Sequence, residues 1–225
     1  MARAGRGVPV NGTDHREFIL AHTAPARAVL VPEIRLRLAT EITPLWQASE
    51  AFLSANAMAP PFWAFAWPGS EALARYVTDR PEWVANRRVL DFAAGCGLAG
   101  IGAARAGAGA VEAAEIDPLA RAAIALNAET NGCRINVLER DVVGEPCRWD
   151  VILAGDVCYE APMTRHILPW LRLCAREAAV IIADPGRAYM PKDGFTALER
   201  VDVPTTLELE DRTSRRVTLF RLDPG

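Results

Sequence analysis

Four carboxylates recur where short apolar runs end: Asp91 and Glu115 close the first two, the third runs into Asp141 and the fourth into Asp156. Any one of them could be a cap or a turn residue. Their recurrence, one acid per run, suits a ligand that offers hydroxyls, an amine and a positive charge. Between the first two lies Gly95-Cys96-Gly97-Leu98-Ala99-Gly100. A strand feeding a glycine turn and then a helix leaves free backbone N–H groups at the helix start, and glycines without Cβ let a ligand approach them.

The turn spells G-x-G-x-x-G, and Glu115 follows twenty residues after Gly95. That is the pattern of a dinucleotide site. Asp91, four residues before Gly95, points elsewhere: a pyrophosphate gains nothing from a carboxylate there, whereas S-adenosylmethionine carries an α-ammonium and a sulfonium and no phosphate. On this reading Asp91 orders the cationic end, Glu115 accepts from both ribose hydroxyls, and Asp141 accepts from the adenine amino group. Ile116 and Val142 form apolar walls on the ring faces. Asp156 and Tyr159, three apart after the fourth run, would frame a nucleophile at the reacting end. Cys158 between them has no well-placed histidine to activate it, and His166 reads as a helix-surface residue. Pro61-Phe62-Trp63-Ala64-Phe65-Ala66-Trp67-Pro68-Gly69 alternates aromatics at 63, 65 and 67. It is either a core-facing edge strand or a lid in which Trp67 covers the cofactor and its neighbours line a substrate channel.

These residues need a scaffold. Alternating runs predict strands at 88–93, 110–115, 134–139, 150–155 and 178–183, with helices at 98–107, 118–130 and 162–175 between them. Asp117-Pro118 is a helix start and Asn131-Gly132 a stop. Alternation of this kind requires a mainly parallel sheet with helices on both faces, which binds ligands at the carboxyl ends of its strands. Upstream, helices are expected at 14–21 and 41–55, a strand at 29–38, extended chain at 60–67 and a helix from Pro68 to about Thr78. Downstream, a short helix near 194–200 and two β-rich runs, 201–209 and 214–221, close the chain.

The 225 residues, half of them hydrophobic, suffice for one domain with an extension. A net charge of −3 and a pI near 5.7 disfavour a nucleic-acid partner. Five scattered cysteines, with no C-x-x-C, read as reduced thiols rather than a disulfide or zinc framework. No apolar run reaches membrane-spanning length. Lys192 is the single lysine among 25 basic residues, a bias that suggests a GC-rich genome and a protein of the bacterial cytoplasm. The first thirteen residues read as a flexible tail rather than a transit peptide.

Together the residues resemble the seven-β-strand, class I methyltransferases. More narrowly, the Trp-Pro-Gly segment before the glycine turn and the Asp156-x-x-Tyr159 motif are similar to the family-16 protein-lysine methyltransferases. The run Pro61 to Tyr76 and Glu115-Ile116-Asp117-Pro118 resemble the electron-transfer-flavoprotein β-subunit lysine methyltransferases within that group. The chain departs from the usual pattern at Ala93 (for the first glycine), Ser70 (for a second glycine) and Glu115 (for aspartate). The resemblance implies a Rossmann-like seven-stranded sheet over 81–225, with an N-terminal α/β extension and aromatic lid over 14–80. It implies cofactor contacts at Trp67, Gly95, Gly97, Glu115 and Gly155, and at Ala93 in the turn. Asp156 and Tyr159 would face the target lysine, with Trp63 and Phe65 beside it. The expected substrate is the flavoprotein β-subunit, or another protein such as a ribosomal stalk protein, and the enzyme is expected to be a monomer. Rival readings are a nucleic-acid amino methyltransferase, whose D-P-P-Y motif occupies the same slot as Asp156-x-x-Tyr159, a small-molecule N-methyltransferase, and a module that binds the cofactor without turnover.

Overall fold

The computed structural model describes residues 12–40 and 60–224. The helix expected at 41–55, and all but the last two residues of the expected tail, lie outside them.

The element order is α1 (Gly12–His22), β1 (Ala24–Arg27), β2 (Arg35–Leu38), a 3-10 turn at Phe62–Ala64, α2 (Pro68–Asp79), and a second 3-10 turn at Pro81–Trp83. The alternating unit follows: β3 (Arg88–Phe92), α3 (Leu98–Arg105), β4 (Ala110–Ala114), α4 (Pro118–Thr130), β5 (Asn136–Leu138), β6 (Val151–Gly155), α5 (Ala161–Cys174) and β7 (Ala179–Asp184). The chain ends in β8 (Phe195–Pro204), the single turn α6 (Leu207–Glu210) and β9 (Ser214–Leu222). Seven strands form one sheet in the order β5-β4-β3-β6-β7-β9-β8. Strands β3 to β7 are parallel, and β9 runs antiparallel to both β7 and β8.

Two-residue periodicity makes the layers. Val89, Val151, Leu153 and Ile181 pack with Leu73 and Val77 of α2 and Ala99 and Ala103 of α3 on one face. Leu90, Ile152, Ala154, Val180 and Ile182 pack with Ile167, Trp170 and Leu171 of α5 on the other. Helix α4 begins as its sequence dictates: Asp117 accepts from Leu119 N–H at 2.8 Å and Pro118 takes the first helical position.

Four expectations change. The β-rich run 201–209 leaves its strand at Pro204, and Thr206 caps a helical turn at Leu207–Glu210. The run 29–38 is not one strand; β1 and β2 form an antiparallel pair. The segment 60–67 is not continuously extended, because Phe62–Ala64 makes a 3-10 turn that buries Trp63 against Ile19, Ala120 and Ala123. The helix near 194–200 is instead the first part of β8. Phe195–Pro204 pairs along its length with β9 from Leu222 back to Ser214, and that ladder outweighs local helical preference.

Chain reversal falls between β3 and β6, so the carboxyl ends of these strands open a crevice, the place where such sheets take ligands. Helix α2 runs into this edge at close range. A Cβ on Gly69 would lie 2.5 Å from Asp156 Oδ2 and 2.6 Å from the Ala183 carbonyl oxygen. Gly69→Ala should therefore destabilise the fold by about 1–3 kcal/mol through overpacking, although the same exchange in an open helix position stabilises. Urea denaturation checks the sign.

Candidate functional site

A cavity of about 730 Å³ occupies the crevice, within the range of small-molecule sites. The turn after β3 forms its floor. Gly97 takes a left-handed φ of 79° as the cap of α3, and Ala93 and Gly95 are left-handed as well, at 53° and 55°. A Cβ on Gly95 would meet only the Phe62 carbonyl oxygen, at 4.0 Å, so the space above this glycine is open toward the aromatic segment.

Glu115 closes one side. Its Oε2 accepts from Gly95 N–H at 3.1 Å, and its Oε1 from Ile116 N–H at 2.9 Å and Asp117 N–H at 3.3 Å. Burial raises its pKa while these three amides pull it down. Next to it the Ile116 side chain stands 71% exposed at the cavity edge, a free apolar wall for a flat ring, and buried Val142 lines the same cavity. Asp141 also lines the cavity, but its carboxylate is engaged: Oδ1 accepts from Val143 N–H at 2.9 Å and Oδ2 lies 2.7 Å from His166 Nε2. His166, expected on an outer helix surface, is thus brought to the rim.

Asp91 departs from expectation. It shares the strand face of Val89, so its side chain points under α3 and not into the cavity, and its Oδ2 accepts from Gly100 N–H at 2.7 Å. Burial pushes its carboxyl up to about 8. A buried, readily protonated group behind the turn does not supply a charge to a ligand's cationic end; Asp91 ties the turn to the first turn of α3.

The other end of the cavity is aromatic and ionic. Phe62 contacts both Trp67, at 6.0 Å between ring centroids, and Tyr159, at 5.5 Å. Trp67 Nε1 donates to the Phe62 carbonyl at 2.7 Å. Phe65 packs edge-on to Trp67 at 5.9 Å. Trp63 reaches the cavity wall, but its indole is 1% exposed and belongs to the core between α1 and α4. Asp156, buried at the end of β6 with φ 57°, accepts from Gly69 N–H at 2.5 Å through Oδ2 and from Arg187 Nε at 2.8 Å and Nη2 at 2.5 Å through Oδ1. Desolvation pushes its carboxyl up to about 6 against the pull of Arg187. Gly155 beside it sits so close to α2 that a Cβ would lie 2.8 Å from Ser70 N. Cys158 is buried and its thiol is pushed up to about 11, so it is no nucleophile.

The structure therefore brings together Trp67, Phe65, Ala93, Gly95, Glu115, Ile116, Asp141, Val142, Gly155, Asp156 and Tyr159 around one cavity; Gly97, expected to contact the cofactor, faces away from it, with its N–H on the Ala94 carbonyl at 2.8 Å and Ile124 against its open side. Sequence reading missed Arg187, Glu210 and Gly69. The turn Asp184-Pro185-Gly186-Arg187 after a strand signalled the first; nothing local signalled Glu210.

A seven-stranded sheet of this order, with a glycine turn and an acid at the ends of its first two parallel strands, defines a class I methyltransferase. The ribosomal protein L11 methyltransferase (PrmA) family matches residues 73–158. The electron transfer flavoprotein beta subunit lysine methyltransferase of Xenopus laevis is 39% identical over 182 residues, 79% of this chain and 73% of that protein. The zebrafish protein of the same name is 38% identical over 78% of this chain and 69% of its own length. Among solved structures, magnesium protoporphyrin IX methyltransferase from Synechocystis with bound S-adenosylmethionine superposes with a TM-score of 0.51 at 20% identity, covering 68% of this chain and 77% of that one; it shares the fold. The chain belongs to the electron-transfer-flavoprotein β-subunit lysine methyltransferase family, whose methyl donor is S-adenosylmethionine. The further relatives are from human, rat, mouse and nematode. These animal relatives conflict with the expected bacterial cytoplasmic origin, whose bacterial part rested on arginine usage, and that expectation does not stand.

The cavity suits this cofactor on its own geometry: open space over Gly95, the Glu115 carboxylate at one side and a free apolar wall at Ile116. Glu115→Ala should weaken binding of the demethylated cofactor by about 2–3 kcal/mol, since hydroxyls lose a charged acceptor; calorimetric titration measures it, and unchanged affinity removes Glu115 from the ribose. Asp91 makes a different prediction. Its pKa is raised in the fold, from 3.8 to about 8, so the folded state keeps its proton longer than the unfolded chain and stability falls as pH rises through that window. Asp91→Asn should gain stability relative to the parent between pH 5 and pH 8, read from urea midpoints.

Proposed function

We propose that this protein transfers methyl groups from S-adenosylmethionine to lysine side chains of the electron transfer flavoprotein β-subunit. The reading is supported most by one juxtaposition: Trp67, Asp156 and Tyr159 meet at one end of the cavity whose other end holds Glu115 and Ile116. Family membership supplies the substrate.

When bound, the cofactor supplies an activated methyl group on a sulfonium. This chain's residues do the rest. Glu115, Ile116 and Val142 hold the nucleoside, with Asp141 placed at the adenine edge by His166 and Val143 N–H. The glycine turn lets the cofactor lie close to the backbone at Gly95, whose N–H holds Glu115 in place. Phe62, Trp67 and Tyr159 form an aromatic wall beside the reacting end. A lysine of pKa ~10.4 must lose its proton before it can attack, which costs roughly 4–5 kcal/mol at pH 7. The wall helps by desolvating the ammonium, which disfavours its charged form. Alignment of amine and methyl supplies much of the remaining rate. Asp156, fixed by Gly69 and Arg187, serves as an orienting acceptor for the amine, not as an isolated anion that would hold it protonated.

Incubation of the purified flavoprotein β-subunit with enzyme and cofactor should add mass on lysine in steps of one methyl-for-hydrogen exchange, read by peptide mass spectrometry. Label appearing on RNA or on a different protein would refute the substrate. In the same assay Asp156→Asn should lose more than about tenfold in rate, within the range for a mispositioned reacting group, while cofactor affinity stays within severalfold. Tyr159→Phe, which keeps the ring, should be milder.

A further inference from the structure

Asp156 is not alone at the reacting end. The turn after β7 is folded by Asp184, whose Oδ1 accepts from Gly186 N–H at 2.7 Å and Arg187 N–H at 2.9 Å. That turn sends the Arg187 side chain back toward β6. There Arg187 gives Nε and Nη2 to Asp156 Oδ1, and turns the rest of its guanidinium to Glu210, with Nη2 to Oε1 at 2.5 Å and Nη1 to Oε2 at 3.2 Å. Glu210, on α6 between β8 and β9, is itself held by Arg215 of β9, whose Nε lies 2.8 Å from Oε2. The guanidinium carbon of Arg187 lies 5.8 Å from the centroid of the Trp67 ring. The side chains of Asp156 and Glu210 are 8% and 2% exposed and that of Arg187 18%. Two carboxylates and two guanidiniums thus alternate from the cavity to the C-terminal hairpin, and Arg187 lines the cavity.

We propose that Arg187 is a positioning residue for methyl transfer: it fixes the Asp156 carboxylate in one arrangement at the reacting end, and Glu210 with Arg215 fixes Arg187. The activity part of this inference rests on the methyltransferase reading of the cavity; the hold of Arg187 on Asp156 does not.

The argument is one of donors. Asp156 lost its water on burial and meets a single amide, that of Gly69, on Oδ2. Oδ1 takes both of its hydrogen bonds from Arg187. The groups facing Asp156 are the Gly69 N–H from α2, Arg187 from the loop after β7 and Glu210 from α6; Arg215 stands behind Glu210, and Asp184 folds the turn that carries Arg187. Of these, Arg187 is the one positive charge in contact. Without it, Asp156 would face Glu210 across a dry gap and would take up a proton. A protonated Asp156 loses its fixed orientation and its acceptor character, and Trp67 loses the cation over its ring. The segment carrying Glu210 would then have no ionic link to the cavity, although it sits at the end of the sheet's last hairpin.

The test compares the full-length protein with Arg187→Gln, Arg187→Lys, Asp156→Asn and the double variant Asp156→Asn with Arg187→Gln. In the cofactor-free protein, the carbon-13 carboxyl resonance of Asp156, assigned by its disappearance in Asp156→Asn, should titrate near the parent midpoint of about 6. In Arg187→Gln the midpoint should rise by about 1–3 pH units, the effect of removing an adjacent opposite charge; Arg187→Lys should lie between. An unchanged midpoint overturns the proposal. With the flavoprotein β-subunit as substrate, kcat/KM of Arg187→Gln should fall by roughly a hundredfold at neutral pH, the scale of a misplaced reacting group, and recover toward higher pH as Asp156 ionises. A loss equal at every pH marks Arg187 as structural only and overturns the proposal. Should Arg187→Gln alone fail to fold, the double variant relieves the unpaired charge. Its kcat/KM should match that of Asp156→Asn within about twofold, the error of independent measurements, and any greater further loss overturns the proposal. If the parent enzyme leaves the flavoprotein unmodified, the proposed function fails, and the carboxyl titration still decides whether Arg187 governs Asp156.

Discussion

A carboxylate taken out of water must be met by donors, and this sheet buries three acids at one edge and half-buries a fourth. Asp91 is met by the amide of Gly100, Asp184 by those of Gly186 and Arg187, and Glu115 by those of Gly95, Ile116 and Asp117. At two of the acids the donor amide comes this close because no Cβ stands in the way. A Cβ on Gly100 would lie 3.0 Å from Asp91 Oδ2, and one on Gly69 2.5 Å from Asp156 Oδ2. The glycines around the cavity are therefore as much a consequence of satisfying buried acids as of admitting a ligand. Asp156 has too few amides, and a guanidinium supplies the rest.

The N-terminal pair of strands is bound into the same system. Asn127, fully buried on α4, accepts from Arg37 N–H of β2 at 2.8 Å and donates to the Cys96 carbonyl in the glycine turn at 2.9 Å. One side chain thus ties the β1–β2 pair, α4 and the cofactor turn. Ala28, Val31, Ile34 and Leu36 pack with Leu98 and Ile101 of α3, so this extension supports the floor of the cavity from outside. Trp63 does similar work from the other side, in the core between α1 and α4.

How far the sequence could be read follows from the range of each interaction. Helix α4 was legible to the residue because its start and stop signals are local: Asp117, Pro118, Asn131 and Gly132. The parallel strands were legible because each buried run is bounded by turns. The segment from Phe195 was not, because Thr196-Ala197-Leu198-Glu199-Arg200 has helical composition and becomes a strand only through its ladder with β9. Asp91 was placed at the cavity by proximity to the glycines, yet its parity with Val89 already put it on the α3 face; alternation was the better guide than nearness in sequence. Arg187 and Glu210 lie 31 and 54 positions beyond Asp156 in the chain, and only the folded hairpin joins them.

The balanced charges also bear on how a cationic substrate side chain can be accepted. A free buried carboxylate would attract a lysine ammonium and raise its pKa, which opposes the loss of the proton that attack requires. With both oxygens of Asp156 engaged and Glu210 held between two arginines, an arriving ammonium finds acceptors but little net negative charge. Arg187 is already counted in that balance; the opposing charge would come from the sulfonium of a bound cofactor, since a unit charge near 4 Å is worth about 4 kcal/mol at an effective dielectric of 20. That is close to the cost of freeing the amine at neutral pH. The arrangement that satisfies a buried acid is in this way also one that favours the neutral, nucleophilic form of the amine.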